Sequence, residues 1–201
     1  YEIAKELVAK GWDIEVFSSD FNLSERIYKK LPSFKLSVSK NYDGIKWNWL
    51  RVLSYKRNNW RRYINLSSFC IHIFLKLTLS NLIKENKYNP DIIVASSPQL
   101  PAAFISLYIA KILRRPFVLE VRDLWPQVLI DKPNSDPNSI LIKLLKYMEK
   151  KLYRDASKVI VLAKGSVSYV KERGASNISW LPNGPDLNLF KYHPLPIESE
   201  I

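Results

Sequence analysis

Cysteine and histidine are nearly missing from this chain. With Cys70 as its one cysteine and His72 and His193 as its two histidines, it can assemble neither a disulfide framework nor a Cys/His zinc site. Such usage points to an intracellular protein. Glycine is scarce as well: Gly11, Gly44, Gly165, Gly174 and Gly184 fall at predicted helix ends and turns and never compose GxGxxG, GxxxxGK[ST] or GxSxG. A dinucleotide fingerprint, a P-loop and a hydrolase elbow are therefore excluded from this stretch. His72 sits on an apolar helical pattern and His193 in a proline-flanked tail, so a Ser/His/Asp triad has no base, and both histidines read as structural.

Acid is also in deficit. Nineteen Asp+Glu stand against 31 Lys+Arg, a net charge of +12, so the surface holds a field that attracts phosphates, nucleic acid or anionic lipid. The rest of the composition is ordinary: 47% apolar and 25% charged over 201 residues is one soluble globular domain, which excludes disorder and collagen.

Helical and strand patterns alternate along the chain. The first ten residues read as a helix with Ile3, Ala4, Leu7 and Val8 on one stripe, closed by Gly11 as a left-handed cap, and residues 13–18 alternate into a strand. No capping side chain precedes the helix, so the expectation is that the chain enters in mid-unit, with a strand and turn upstream. Further strands are expected at 34–39, 45–52, 91–95, 117–122, 159–163 and 178–181, and helices at 60–83, 101–113, 139–154 and 164–173. The runs DIIVASS, FVLEVRD and KVIVLA are near-continuously apolar, as central parallel strands covered on both sides must be. The reading is a Rossmann-like parallel α/β sheet with helices on both faces, lacking its first strand.

Between Gly44 and Lys84 no acidic residue occurs, while Lys46, Arg51, Lys56, Arg57, Arg61, Arg62, Lys76 and Lys84 alternate with Trp47, Trp49, Tyr55, Trp60 and Tyr63. Three readings are open. Amphipathic rings and cationic heads suit an anionic membrane surface, with Lys56, Arg57, Trp60, Arg61 and Arg62 at its centre. The same mixture could be a solvated basic face with some rings in the core, or a platform for single-stranded nucleic acid, the least supported of the three. The following run, 66–83, is apolar, but His72, Lys76, Asn81 and its Ser/Thr residues argue against a membrane span, so it is expected to be a buried helix with Phe69, Ile73 and Leu77 on the sheet and Cys70 a small core residue.

Two strand ends carry polar chemistry. Glu120, Arg122 and Asp123 close an apolar strand, followed by Trp125 and Pro126, at the sheet end where open α/β folds bind ligands. Period-two geometry puts Glu120 and Arg122 on one face, able to pair. The structural alternative is a buried ion-pair partner, a capping aspartate and a packing corner. Ser96 and Ser97 end another strand just before a helix that opens at Pro101, where sugar or phosphate oxygens could be held; a plain capped turn is the alternative.

Four segments in order, ELVAKGWDIEVFSSD (6–20), YKRNNWRRYINLSSF (55–69), DIIVASSPQLPAAF with RRPFVLEVRDLWPQ (91–104 and 114–127) and WLPNGPDLNLF (180–190), resemble the N-terminal half of a family-four, GT-B type retaining glycosyltransferase of the bacterial surface-polysaccharide branch. The resemblance implies an acceptor-side domain over 1–186, with 187–201 beginning an interdomain connection and the nucleotide-sugar domain lying outside this chain. It implies a nucleotide-sugar donor, a lipid-linked saccharide acceptor, no metal or other cofactor, and a cytoplasmic enzyme peripheral on the inner face of the cell membrane. Asn183 and Gly184 match the family's turn leaving the first domain and count with Ser96, Ser97, Glu120 and Trp125 as substrate-binding. Where related enzymes often carry a histidine after the strand, this chain has Arg122, expected to stabilise the phosphate charge of the leaving diphosphate or of a lipid-linked acceptor, with Asp123 orienting an acceptor hydroxyl or holding Arg122 in place. The competing class is a non-catalytic basic α/β module that binds lipid phosphate or nucleic acid.

Overall fold

The computed structural model describes the chain apart from residues 23, 26, 29, 33, 57–59, 84–87, 134 and 185–201. The sequence-predicted Arg57, His193 and the interdomain connection lie outside the described residues.

Seven strands form two sheets. Strands β1 (Glu15–Ser19), β2 (Ser37–Tyr42) and β3 (Ile45–Leu50) make one, in the order β1-β3-β2, with β1 parallel and β2 antiparallel to β3. The second sheet is wholly parallel, in the order β4 (Ile93–Ser96), β5 (Phe117–Val121), β6 (Lys158–Val161), β7 (Ile178–Trp180). The expected Rossmann-like parallel α/β sheet is present in β4 to β7, and β1 to β3 stand apart from it as a smaller mixed sheet. β1 and β4 are each paired on one side only, yet Phe17 of β1 and Ile93 of β4 pack into the same apolar cluster with Leu50, so the two sheets share a core across those edges. Helix and strand limits otherwise follow the sequence reading to within a few residues. The strand expected at 34–39 begins at Ser37, because the hairpin is set by the tight turn at Asp43 and Gly44, both with positive φ.

Helices α1 (Glu2–Ala9) and α2 (Arg61–Ile83) lie on opposite faces of the first sheet. Tyr1 and the rings of Trp47 and Trp49 line one hollow on the α1 side, whereas Leu50, of opposite parity on β3, packs with Ile73 and Leu77 of α2. Gly44 permits the close approach of α1: a Cβ there would stand 2.7 Å from Val8 Cγ1, and its φ of +81° is a glycine conformation. Gly11, at φ +86°, ends α1 as expected.

The larger core lies under the parallel sheet. Phe117, Leu119 and Val121 of β5 and Val159 and Val161 of β6 face α3 (Leu100–Ile112), α5 (Ile140–Asp155) and α6 (Ser166–Glu172), where Leu107, Leu152 and Val170 are fully enclosed. Burial of each such side chain contributes roughly 2 kcal/mol. Ser139 caps α5 by accepting the Ile142 N–H at 3.4 Å, and Pro101 occupies the first turn of α3, where its missing N–H costs nothing. A single turn, α4 (Gln127–Ile130), has no counterpart in the sequence reading, since four residues are too few to show a period.

Candidate functional site

Parallel strands that each feed a helix gather their C-terminal ends on one side of the sheet. Ser96, Glu120, Ile160 and Ser179 are register partners in one row across β4 to β7, and the chain leaves the sheet just beyond them. The corners that follow hold Ser97 (after β4), Arg122 and Asp123 (after β5), Lys164 (after β6) and Asn183 with Gly184 (after β7). The structure therefore brings the sequence-predicted strand-end residues to one edge.

Ser97 is the brace of this edge. Its hydroxyl accepts the backbone N–H of Arg122 at 3.0 Å and of Asp123 at 3.3 Å and donates to the Asp123 carbonyl at 3.1 Å. Only 2% of Ser97 is exposed, so its hydroxyl holds the loop and does not reach out to a ligand as expected. Ser96 Oγ is buried without a partner, and Glu120 is half-buried beside it. Arg122 and Asp123 are both exposed, and their side chains are not used inside the fold. The expected Glu120–Arg122 pair does not form. Strand β5 ends at Val121, so the period-two geometry that would align the two side chains stops one residue short.

Beyond Asp123 the chain turns through Leu124, a cis Trp125–Pro126 bond and α4. Trp125 is half-buried against the main core with its indole N–H enclosed and unpartnered, which makes it a wall of the corner. Pro126, Gln127 and Ile130 roof a cavity of about 190 Å³ whose other walls come from α5 and α6. Glu149 of α5 lies there, 3% exposed, with Arg173 Nε 3.6 Å away and the Arg173 guanidinium 3.4 Å over the Tyr169 ring. Burial pushes the Glu149 carboxyl up from its ordinary value, against the opposing pull of Tyr169 and Arg173. The sequence reading missed this residue. Its signal was a glutamate on the same helical stripe as Ile142, Leu145 and Leu152. Lys164 was missed too; its ammonium stands 5.7 Å over the ring of Trp180, whose N–H donates to the Leu162 carbonyl.

The basic run divides. Lys46 pairs with Glu15 at 2.9 Å, Arg51 donates to the carbonyls of Lys35 and Pro32, and Lys76 donates to Ser37 Oγ at 2.8 Å. Tyr55 is buried, and Trp47 and Trp49 stack on each other on the sheet face turned away from α2. What remains together and exposed is Lys56, Trp60, Arg61, Arg62 and Tyr63 at the head of α2. In chain order α2 follows β3, as α3 follows β4. The two described cysteine and histidine side chains are structural: Cys70 is buried, which pushes its thiol up to about 11, and His72 Nδ1 donates to the Arg51 carbonyl at 2.9 Å. Among the described residues no three His, Cys, Asp or Glu side chains converge as a metal site.

No curated protein matches this sequence. Among solved structures, sucrose-phosphate synthase from Thermosynechococcus elongatus superposes with a TM-score of 0.62 over 94% of this chain at 16% identity, a likeness of fold. The chain spans 42% of that synthase, and the shared architecture is the GT-B one. The family model for Glycosyltransferase Family 4 matches residues 1–189, nearly the whole of the sequence. This chain belongs to Glycosyltransferase Family 4.

Proposed function

We propose that residues 1–186 are the acceptor-side domain of a retaining hexosyltransferase, which moves a sugar from a nucleotide-sugar to a lipid-linked saccharide during surface-polysaccharide synthesis. The donor domain follows this one in the chain, and residues 187–201 begin the connection to it. The enzyme works without a metal or other cofactor, on the cytoplasmic face of the cell membrane. The observation that carries the reading is the exposed Arg122–Asp123 corner, braced by Ser97 at the C-terminal edge of a parallel sheet in a chain of this family.

In this reading the bond from the anomeric carbon to the diphosphate oxygen breaks while the acceptor oxygen bonds to the same face of the sugar. The acceptor proton passes to the departing phosphate oxygen, so no strong protein base is required. Arg122, a fixed cation with a planar fork of donors, stabilises the growing phosphate charge. Asp123 orients the acceptor hydroxyl. Glu120, Lys164, Asn183 and Gly184 border the same edge and supply polar contacts to the saccharide, whereas the enclosed Ser96 hydroxyl does not reach it. Lys56, Trp60, Arg61 and Arg62 face the anionic lipid surface from which the acceptor arrives.

The test is a transfer assay with full-length protein, a panel of nucleotide-sugars and polyprenyl-diphosphate-linked saccharides. Labelled product is expected, and Arg122→Ala should lower turnover by roughly an order of magnitude or more, the usual loss for one preorganised charge contact. An unchanged rate in a correctly folded Arg122→Ala protein contradicts the assignment.

A further inference from the structure

The expectation that α2 is a buried core helix holds for only one side of it. Cys70, Ile73 and Leu77 are buried, but Ile71 is 59%, Leu75 44% and Leu79 45% exposed, and Ile64 and Trp60 continue the same stripe toward the head. These five residues recur at helical spacing over nineteen positions, a strip about 28 Å long. By length and composition the stretch from Arg61 to Asn81 could cross a membrane. Crossing would tear Ile73 and Leu77 from Leu50 and Ile109, and Lys76 from Ser37, whereas lying in the plane of a membrane leaves that packing whole.

We propose that the outer stripe of α2 lies in the acyl boundary of an anionic lipid surface, with the helix parallel to the membrane and its cationic head among the phosphates. The charge pattern selects this occupant. Lys56, Arg61 and Arg62 stand at the head of the stripe with the exposed Trp60 and Tyr63 beside them, and no acidic residue occurs from Gly44 to Lys84. An interfacial helix needs this combination of an apolar strip, amphipathic rings and lysine or arginine. A second copy docking through the same patch would bring two cationic, acid-free faces together. The inference rests on the membrane reading of the α2 head and extends it: the domain is held by insertion as well as charge, which fixes its orientation.

The experiment uses the full-length protein with Cys70→Ser and one added cysteine, Ile71→Cys or Leu75→Cys, labelled with an environment-sensitive fluorophore, and Ser176→Cys as an exposed control. Vesicles of phosphatidylcholine with phosphatidylglycerol are added and cosedimentation is followed in parallel. Emission at 71 and 75 should rise and shift to the blue with vesicles while 176 stays unchanged, and the Leu75→Glu, Leu79→Glu double variant, checked for helicity, should partition at least about tenfold more weakly. Probes at 71 and 75 that stay in water while the protein still cosediments overturn the insertion and leave the charged head as the contact. No cosedimentation at low salt overturns both. Probes already shifted to the blue before lipid is added, with a dimer mass, mean that a second copy covers the stripe and overturn the proposal.

Discussion

At the scale of single residues, the strand-end corner depends on one hydroxyl. Ser97, itself buried, satisfies two backbone N–H groups and one carbonyl at Arg122 and Asp123 through part-buried hydrogen bonds. Ser97→Ala leaves those groups without a partner and should cost about 1–3 kcal/mol in urea denaturation; a variant as stable as the parent would show that the corner holds itself. The sequence made Arg122, Asp123 and Trp125 legible, because charges directly after an apolar run mark a strand end. It also flagged Ser97, but with its hydroxyl turned toward a ligand. Its true partner lies across the β4–β5 register, and no local pattern around residue 97 encodes which atoms that register brings together. The Glu120–Arg122 pair failed for a related reason: a strand's alternation says nothing about the residue where the strand stops.

Among the elements, α5 and α6 form a clamp behind the loop through Glu149, with Tyr153, Tyr169, Arg173 and Lys146 as the ionisable groups around it. A carboxyl whose folded value is raised loses stability when it ionises. The contribution is therefore unaffected below the ordinary glutamate range and declines as pH climbs through the raised value. Glu149→Gln should flatten the fall of melting temperature from acid to neutral pH, and identical pH slopes for the two proteins would contradict this. The helix was legible from its apolar stripe and the Ser139 cap, and Glu149 could have been found as the one acidic side chain on that stripe. On α2 the packed face of Phe69, Ile73 and Leu77 was legible, but the exposure of Ile71, Leu75 and Leu79 on the other side was not, because it follows from what packs against the helix and not from the residues themselves.

For the whole molecule, the alternation of helix and strand was enough to anticipate a parallel sheet, and β4 to β7 form one. The division into two sheets was beyond reach, because whether β1 and β4 join depends on what stands between them and on no property of either strand. The net charge of +12 likewise named a class of partner without placing it; within the basic run Lys46 pairs with Glu15 and Arg51 is held by backbone carbonyls, which leaves the α2 head as that run's exposed cationic cluster. The most direct measurement of the central claim is photocrosslinking of a diazirine-bearing lipid-linked saccharide to the full-length protein, with attachment sites mapped by mass spectrometry. Attachment within 96–99, 120–127 or 162–165 is predicted, along the C-terminal edge of β4 to β6. Attachment confined to the β2–β3 hairpin or the α1 face would contradict the account.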